Sequence, residues 1–350
     1  MRLSIRQAGP EDLPAAARLL SIKYGRSYEP EHIAHVLGRF EPERNLAWIA
    51  FDGTQPVGVT MVFIRELDLD GLKLRAGYWA QLYIRPEYRS YLLYPRLTQT
   101  MIGALRKNDL AVLYTGVRRA EVARAHTKLG FIKLGELAVR AKPLRPVRLV
   151  LRYGGWNTCT KLADVPDFLY RGVLRLRVAC NGGLKPRLLS QPPDLHEFAD
   201  LLNHTRSRVR QVWSVSRLTE RYTANREGEP YSLLGVRRQG RLVAAAVWRV
   251  ALRGNGVRAG VLMDLAFHQG EERAARKLLG GIEWNALHKS CDVMLHLDGI
   301  SEASGMMARG GYYCSPERYS VLLWPTVIAK KELLADLGTW RYGFADHDTF

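Results

Sequence analysis

Hydrophobic and polar positions in residues 1–140 follow the two periods that distinguish strands from helices. Alternating or short apolar runs predict strands at residues 3–6, 47–51, 57–64, 77–84, 111–115 and 131–139. Apolar residues spaced three and four apart predict helices at residues 11–20, 30–39, 94–106 and 122–129. The order is β, α, α, β, β, β, α, β, α, β. It predicts an α+β fold around one mixed, mostly antiparallel sheet flanked by helices.

A second series of elements follows a break in this pattern. Prolines interrupt residues 142–146, and residues 147–193 are basic, so they form either a connector or an extra layer on the sheet. Beyond them the pattern predicts helices at 194–206, 271–288 and 301–309, and strands at 231–236, 242–251, 261–267, 293–297 and 319–324. This repeat of element order indicates duplication of one fold. We predict a domain at 1–142, a basic connector at 143–193 and a second domain at 194–350.

The composition is that of a globular protein. Of the 350 residues, 47% are hydrophobic and 25% are charged. No run approaches the ~20 apolar residues that span a bilayer, and Gly9-Pro10 interrupts the N-terminus before a signal-peptide core develops. The cysteines are scattered, without metal-ligand spacing. We expect a soluble, cytoplasmic protein that uses no metal and has no membrane span.

The formal net charge of +18 limits the choice of partners without deciding it. A positive field concentrates anions such as a phosphorylated cofactor, an acidic sugar or nucleic acid. The excess of arginine is equally consistent with a compositional bias that serves no partner. Nucleic acid therefore stays open as a partner.

One segment, residues 84–97, carries the clearest chemical signal. A strand ends at Pro86, arginines follow, and a helix begins a few residues later. The N-terminus of such a helix presents unpaired N–H groups and the positive end of the helix dipole, so it suits a pyrophosphate. Arg85, Arg89 and Arg96 would add charge-assisted contacts.

This segment resembles the central motif of the GNAT superfamily of N-acetyltransferases, V-x-P-x-x-R-G-x-G-I-G/A-x-x-L. Ile84, Pro86, Arg89 and Leu97 match the family's Val, Pro, Arg and final Leu. The chain departs at the family's small residues, where it has Ser90, Leu92 and Tyr94. Because glycine lets the backbone approach phosphate closely, these larger side chains imply weaker cofactor binding or a reshaped loop.

A second match to the same superfamily lies in residues 122–131. The family often has a helix ending A-x-x-x-Y-x-K-x-G-F, whose tyrosine protonates the leaving thiolate of coenzyme A. Here Lys128-Leu129-Gly130-Phe131 is intact, and His126 takes the place of the tyrosine. Histidine is also a proton donor near neutral pH. The alternative is a helix-surface histidine that interacts with the helix dipole.

The resemblance implies where the site lies. It places the acyl-CoA on ten residues and catalysis on His126 and Tyr83. The ten are Leu82, Ile84, Arg85, Arg89, Ser90, Tyr91, Leu92, Leu93, Tyr94 and Lys128. Trp79 and Gln81 lie near the family's reactive centre and Asp264 on the matching strand of the second half, so all three are candidates for binding the acceptor. Aromatic residues in a strand more often belong to a core, and Asp264 is equally suited to capping a loop.

The second half resembles the superfamily more faintly. Gly311-Tyr312 corresponds to the family's G-F, and Met307 stands where the tyrosine would be. Glu271 and Glu272 near the helix start would repel a pyrophosphate. We expect this half to have lost cofactor binding and to shape the acceptor site or a homodimer.

The resemblance implies transfer of an acyl group, most simply acetyl, from acyl-CoA by direct attack of an acceptor amine or hydroxyl. A small molecule or a cell-envelope precursor is the expected acceptor. A Fem-type transferase that uses aminoacyl-tRNA would suit the positive charge. A non-catalytic GNAT-like binding protein would suit the missing glycines.

Overall fold

The computed structural model describes residues 2–38, 45–89, 92–106, 110–156, 163, 165–168, 170, 172, 186–223, 230–325 and 331–347. The chain forms two compact units. The first contains Met1–Gly135, Ser320–Leu337 and His347–Thr349, and the second contains Glu136–Tyr319 and Gly338–Asp346. The first unit thus includes residues from near the C-terminus of the chain, a return that the sequence pattern did not predict. The division at residues 142 and 193 stays a prediction.

The first unit contains most of the strands and helices predicted for the N-terminal half. They are β1 (Leu3–Gln7), α1 (Leu13–Tyr24), α2 (Pro30–Gly38), β2 (Leu46–Asp52), β3 (Gln55–Leu69), β4 (Leu72–Ile84), α3 (Leu93–Arg106), β5 (Val112–Val117) and α4 (Ala120–Lys128). β6 (Ile132–Pro143) begins in this unit and continues in the second.

The sheet of the first unit has the order β1-β2-β3-β4-β5, completed by residues 320–325 of a late strand. All of these pairs are antiparallel except β4 with β5, which is parallel. The apolar face of α3 lies in the core of this unit, as its spacing predicted, through Leu97, Met101, Ile102 and Leu105. The described residues confirm the predicted mixed, mostly antiparallel sheet flanked by helices.

The hairpin of β3 and β4 is longer than the sequence predicted. Its outer half contains charged residues, which interrupt the apolar pattern that marks a strand. One of them, Arg65, is nevertheless 2% exposed. Its guanidinium lies 4.3 Å from the ring centroid of Tyr78 and donates to the hydroxyl of Tyr114 at 3.3 Å. The aromatic partners explain why a charged residue is buried in this strand.

The second unit contains the rest of β6 and the remaining elements up to residue 319. They are α5 (Pro146–Tyr153), β7 (Arg187–Leu188), α6 (Pro192–Asn203), β8 (Val209–Gln211), α7 (Val215–Leu218), β9 (Ser232–Arg238), β10 (Arg241–Leu252), β11 (Arg258–Phe267), α8 (Glu272–His288), β12 (Val293–Leu297), α9 (Ser301–Arg309) and the first half of β13 (Tyr313–Pro325). α10 (Lys331–Ala335) lies in the first unit.

The sheet of the second unit runs β6-β12-β11-β10-β9-β7, and only β11 with β12 is parallel. α8 packs on β9, β10 and β11 and contributes Leu278 and Ile282 to the core of the unit. β7 and nearly all of α5 lie within residues 147–193, where a connector or an extra layer was expected; nearly half of that stretch lies outside the described residues. Within the described residues, none of the helices has the length and apolarity that a bilayer crossing requires.

The two units repeat the same series of elements down to single hydrogen bonds. The tripeptide Arg75-Ala76-Gly77 in β4 recurs as Arg258-Ala259-Gly260 in β11, and each begins the parallel pair of its sheet. The carbonyl of each arginine accepts a bond from the residue just before the parallel strand, at 2.9 and 2.7 Å. The shared register of these two parallel pairs supports duplication of one fold more strongly than the order of elements does.

The ends of the helices that follow the parallel strands agree as well. Phe131 N donates to His126 O at 3.2 Å, and Tyr312 N donates to Met307 O at 3.1 Å. The glycine between has a positive φ in both, 97° at Gly130 and 84° at Gly311, a conformation that glycine adopts without strain. Met307 therefore stands at the position of His126 in the repeat.

Candidate active site

β4 carries a bulge near its C-terminal end. Val59 of β3 pairs with Tyr83 and Met61 pairs with Ala80, so β4 has one more residue than β3 between these pairs. Gln81 lies in the bulge with a φ of +58°. A non-glycine residue in this region costs on the order of 1–3 kcal/mol and persists where its surroundings fix it, often at a ligand site.

Two donors from α1 fix the side chain of Gln81. Its Oε1 accepts a hydrogen bond from Tyr24 Oη at 2.6 Å and another from Lys23 Nζ at 3.1 Å. Burial lowers the pKa of Lys23 from 10.5 to about 8. The last turn of α1 thus supplies an amine and a phenol beside the strained residue of β4.

β4 and β5 pair only over Ala76–Tyr78 and Val112–Tyr114. Beyond Tyr78 and Tyr114, β5 remains paired with residues 320–325, and β4 continues to Ile84 without β5 as a partner. Thr115 Oγ1 donates to Trp79 O at 2.8 Å just past the last pair. The two parallel strands therefore separate at the level of the bulge, where an extended ligand could add to the edge of β4.

The loop between β4 and α3 leads to a helix N-terminus. A short 3₁₀ turn at Pro86–Tyr88 follows β4, and Tyr88 Oη donates to Asp52 Oδ2 at 3.1 Å. Arg89 Nε donates to Ile84 O at 3.2 Å, and Arg85 is ion-paired with Glu87 at 2.8 Å. Two of the three predicted arginines thus precede the start of α3 with partners of their own, and the third, Arg96, donates to Leu3 O at 3.5 Å.

Leu92 replaces a motif glycine and keeps a glycine-like backbone. Its φ is +53°, and its side chain is 71% exposed. α3 starts at the next residue, and Arg96 N donates to Leu92 O at 3.2 Å as the first helical bond. Leu92 therefore has a backbone conformation that glycine adopts readily, at a cost of about 1–2 kcal/mol in conformational strain. Ser90 and Tyr91 lie outside the described residues.

The other predicted cofactor residues divide by burial. The side chains of Ile84 and Leu93 are buried in the core of the first unit, so either could reach a ligand only through its backbone. Leu82 and Tyr83 are half-buried, and Lys128 is exposed at the end of α4. Their roles toward a cofactor or in catalysis stay predictions.

His126 lies in an aromatic environment rather than on the surface of α4. It is 3% exposed, and its ring centroid is 4.4 Å from that of Trp79 and 5.3 Å from that of Phe131. Nδ1 lies 2.8 Å from Val122 O and 2.9 Å from Tyr94 Oη. Burial lowers the pKa of His126 from 6.5 to about 4, so the ring is neutral at pH 7.

Trp79 and Tyr94 support that histidine from two other elements. The indole of Trp79 is 2% exposed and donates through Nε1 to Thr60 Oγ1. Tyr94 is half-buried in the first turn of α3, and burial raises the pKa of its phenol well above 10. The structure thus brings together three predicted residues from β4, α3 and α4.

Comparison with known families identifies the fold that carries this arrangement. Residues 4–123 match a family described as an acetyltransferase (GNAT) domain. This part of the chain is a GNAT domain. No curated protein has a sequence that matches the chain.

Solved structures extend the likeness in fold beyond the GNAT domain. The N-myristoyltransferase of Saccharomyces cerevisiae with bound myristoyl-CoA is 11% identical, with a TM-score of 0.65 over 92% of this chain and 82% of that one. A GCN5-related N-acetyltransferase of Anabaena variabilis is 12% identical, with a TM-score of 0.63 over 94% and 74%. One from Kribbella flavida is also 12% identical, with a TM-score of 0.59 over 93% and 72%. At such identities the likeness establishes the fold alone.

Asp264 lies outside the GNAT domain, on β11 of the second unit. It is 3% exposed, and its Oδ1 accepts from Arg341 Nη2 at 2.6 Å and from Leu265 N at 2.8 Å. It stands at the bulge of its own strand, where Val247 pairs with Asp264 and Trp248 with Leu262. Its proposed contact with the acceptor stays a prediction, and its observed partner is a buried arginine.

Sequence reasoning missed the contact of Lys23 and Tyr24 with the GNAT domain's bulge. Both residues end an amphipathic helix, and nothing in their local pattern distinguishes them from a solvated last turn. Reasoning from residue spacing also could not bring Tyr94 to His126, because they are 32 positions apart on two helices with β5 between them. Among the described residues, no cluster of His, Cys, Asp and Glu could hold a metal ion.

Proposed function

We propose that the chain is an acyltransferase that takes its acyl group from acyl-CoA bound to the GNAT domain of the first unit. The observation that carries the proposal is the separation of β4 from β5 at a bulge that is followed by a positive-φ loop and a helix N-terminus. These three features follow one another along the chain, and we propose that one ligand spans them.

Each feature matches a different part of an acyl-CoA. The first N–H groups of α3 suit the pyrophosphate, because they lack helical partners and lie at the positive end of the helix dipole. The edge of β4 beyond Tyr78 suits the amides of the pantetheine arm, which would extend the sheet like a short strand. The bulge at Gln81 would then receive the thioester, with backbone donors available to its carbonyl.

The acceptor would attack the thioester directly while both substrates are bound. Holding the two reactants together supplies much of the rate, and no protein nucleophile is required. Lys23, Tyr24 and Gln81 surround the proposed thioester position and are candidates for orienting an acceptor amine. An amine or hydroxyl of a small molecule or cell-envelope precursor is the proposed acceptor, and acetyl is the proposed acyl group.

The replacement of a motif glycine by Leu92 does not argue against this function. Leu92 has a positive φ, a conformation that glycine adopts without strain, so the backbone at this position is one that a glycine could also adopt. In the second unit, the start of α8 carries Glu271, which is ion-paired with Arg238 at 3.0 Å. A carboxylate there disfavours a second pyrophosphate, so one donor site per chain is proposed.

Isothermal titration with acetyl-CoA tests the proposal directly. We expect micromolar binding, which Arg89→Ala weakens about tenfold, or about 1.4 kcal/mol. Arg18→Ala is the matched control, because Arg18 is an exposed arginine on α1 of the same unit. A series from acetyl-CoA to myristoyl-CoA then determines the preferred chain length.

Three outcomes would contradict the proposal. Absence of binding for the whole acyl-CoA series would exclude this donor. Retention of RNA with a steep salt dependence would favour an aminoacyl-tRNA donor, consistent with the net charge of +18. Equal weakening by both arginine substitutions would mean that the net charge of the chain, rather than the start of α3, holds the ligand.

A further inference from the structure

The protonation of His126 can be read from its hydrogen-bond partners. Nδ1 lies 2.8 Å from the carbonyl oxygen of Val122. A carbonyl oxygen only accepts hydrogen bonds, so Nδ1 must carry the hydrogen. In the neutral ring, Nε2 then has no hydrogen and can only accept.

The same bond determines the direction of the Tyr94 hydroxyl. Tyr94 Oη lies 2.9 Å from Nδ1, so its oxygen accepts from the shared N–H. The hydrogen of the phenol is therefore directed away from His126. Burial keeps the imidazole neutral, with a pKa of about 4, and raises the pKa of Tyr94, which keeps the phenol protonated at pH 7.

The pair is anchored near the bulge of β4. The ring of His126 packs at a tilt against Trp79, two residues before Gln81, and its centroid lies 5.8 Å from that of Tyr94. Two departures from the GNAT motif thus meet: the tyrosine expected on α4 is His126, and the small residue expected on α3 is Tyr94. A phenol missing from one helix is present on the other.

We propose that Tyr94 is the catalytic residue that protonates the leaving thiolate of coenzyme A, and that His126 is a positioning residue that holds the phenol. This proposal rests on the acyl-CoA function proposed above. The acceptor nitrogen forms its bond to the thioester carbon, and the C–S bond breaks with its electron pair going to sulfur. Tyr94 Oη gives its hydrogen to that sulfur, and the phenolate left behind accepts the Nδ1–H bond. Solvent then returns a proton to Tyr94 and takes the one lost by the acceptor nitrogen.

An equilibrium experiment isolates the contact with sulfur. The affinities of coenzyme A and desulfo-coenzyme A are compared by titration at pH 8.5, where part of the free thiol is ionised. We expect wild type to bind coenzyme A at least about tenfold more tightly, because a hydrogen bond to a charged acceptor is among the stronger ones. Tyr94→Phe should reduce this preference to about twofold while leaving the affinity for desulfo-coenzyme A unchanged.

Variants of His126 separate positioning from catalysis. His126→Asn keeps an N–H near the position of Nδ1 and should retain the preference for coenzyme A, whereas His126→Phe should lose most of it. With hydroxylamine as a probe acceptor, Tyr94→Phe should lower the turnover of acetyl-CoA about 100-fold or more at unchanged KM, the usual effect of losing a general acid. His126→Asn should stay within about tenfold of wild type.

The nitrogen shifts of ¹⁵N-labelled His126 provide a readout without any ligand, and the Nδ1–H tautomer is expected. Finding the Nε2–H form would overturn the proposal. Equal binding of the two coenzymes by wild type would leave the donor site standing but remove Tyr94 from catalysis. Binding of neither would refute the acyl-CoA function and this inference with it. Unchanged affinity of Tyr94→Phe for desulfo-coenzyme A shows that the variant is folded.

Discussion

Gly77, where β4 pairs with β5, offers a quantitative test of how tightly the first unit is packed. A Cβ placed on Gly77 would lie 2.7 Å from Val62 Cγ1 and 3.1 Å from Leu113 Cδ1. Val62 is fully buried and branched at Cβ, so it cannot rotate away without finding new space. Overpacking of this kind costs about 1–3 kcal/mol, and alanine recovers about 0.5–1 kcal/mol by restricting the unfolded chain. Gly77→Ala should therefore lower the free energy of unfolding by about 1–2 kcal/mol.

Gly58 on β3 of the same sheet is the matched control. Its added Cβ would meet Ile84 Cγ1 at 3.4 Å and the carbonyl oxygen of Tyr83 at 3.5 Å, which are ordinary contacts. Gly58→Ala should be neutral or stabilise the protein by up to about 1 kcal/mol. The measurement is urea unfolding followed by tryptophan fluorescence, with midpoints and slopes compared between variants.

A double-mutant cycle identifies the cause. Val62→Ala removes the Cγ1 atom and leaves the flexible ends of Leu113 and Leu110, at 3.1 and 3.5 Å, near the new methyl group. In that background, Gly77→Ala should cost less than about 0.5 kcal/mol, even though Val62→Ala destabilises by itself. If Gly77→Ala lowers the free energy of unfolding equally in both backgrounds, the steric explanation is wrong. If Gly77→Ala changes the free energy of unfolding no more than Gly58→Ala does, the packing around Gly77 is not tight.

Three further predictions concern the titration of His126, the backbone strain at Leu92 and the buried ion pair of Asp264 with Arg341. The folded protein disfavours protonated His126, whose pKa is about 4 against 6.5 unfolded, so stability is fully present above pH 6.5 and is lost as pH falls towards 4. The loss in the free energy of unfolding should reach about 3 kcal/mol. Urea unfolding of His126→Gln should show a smaller loss over the same pH range, and a pH dependence identical to that of wild type would contradict the shifted pKa. Leu92→Gly should raise the unfolding midpoint slightly, because glycine removes the cost of the positive φ, and Leu92→Ala should give no such gain. Asp264→Asn should cost about 3 kcal/mol in thermal or urea unfolding, because it removes the carboxylate that lies 2.6 Å from the buried Arg341; a cost below about 1 kcal/mol would mean that Leu265 O and the carboxylate of Glu302, 3.9 Å from Arg341 Nε, satisfy the arginine.

Local patterns were sufficient for two elements of different kinds. α9, which buries one face, and β12, which is buried throughout, begin and end where the sequence predicted, because their residues are mostly apolar at the expected spacing and turn residues flank them. The outer half of the β3–β4 hairpin was missed, since Arg65 interrupts the pattern and its burial depends on rings contributed by β4 and β5.

The site was predictable in position but not in its contacts. The motif located the start of α3 and the histidine of α4, because these depend on residues close together in the sequence. The bond between Tyr94 and His126, and that between Lys23 and Gln81, join elements far apart in the chain. Such pairs depend on packing, which a single sequence does not encode in any local spacing.

The origin of the last strand in the first unit has a consequence for protein synthesis. β5 pairs with residues 320–325, which the ribosome adds roughly 200 residues after β5 itself. At about 5–20 residues per second, the nascent first unit keeps an open sheet edge for roughly 10–40 s. An edge of this kind is a site for wrong pairing with other chains, so chaperone occupancy during translation should be high. A stop codon anywhere before residue 320 would leave that edge open permanently.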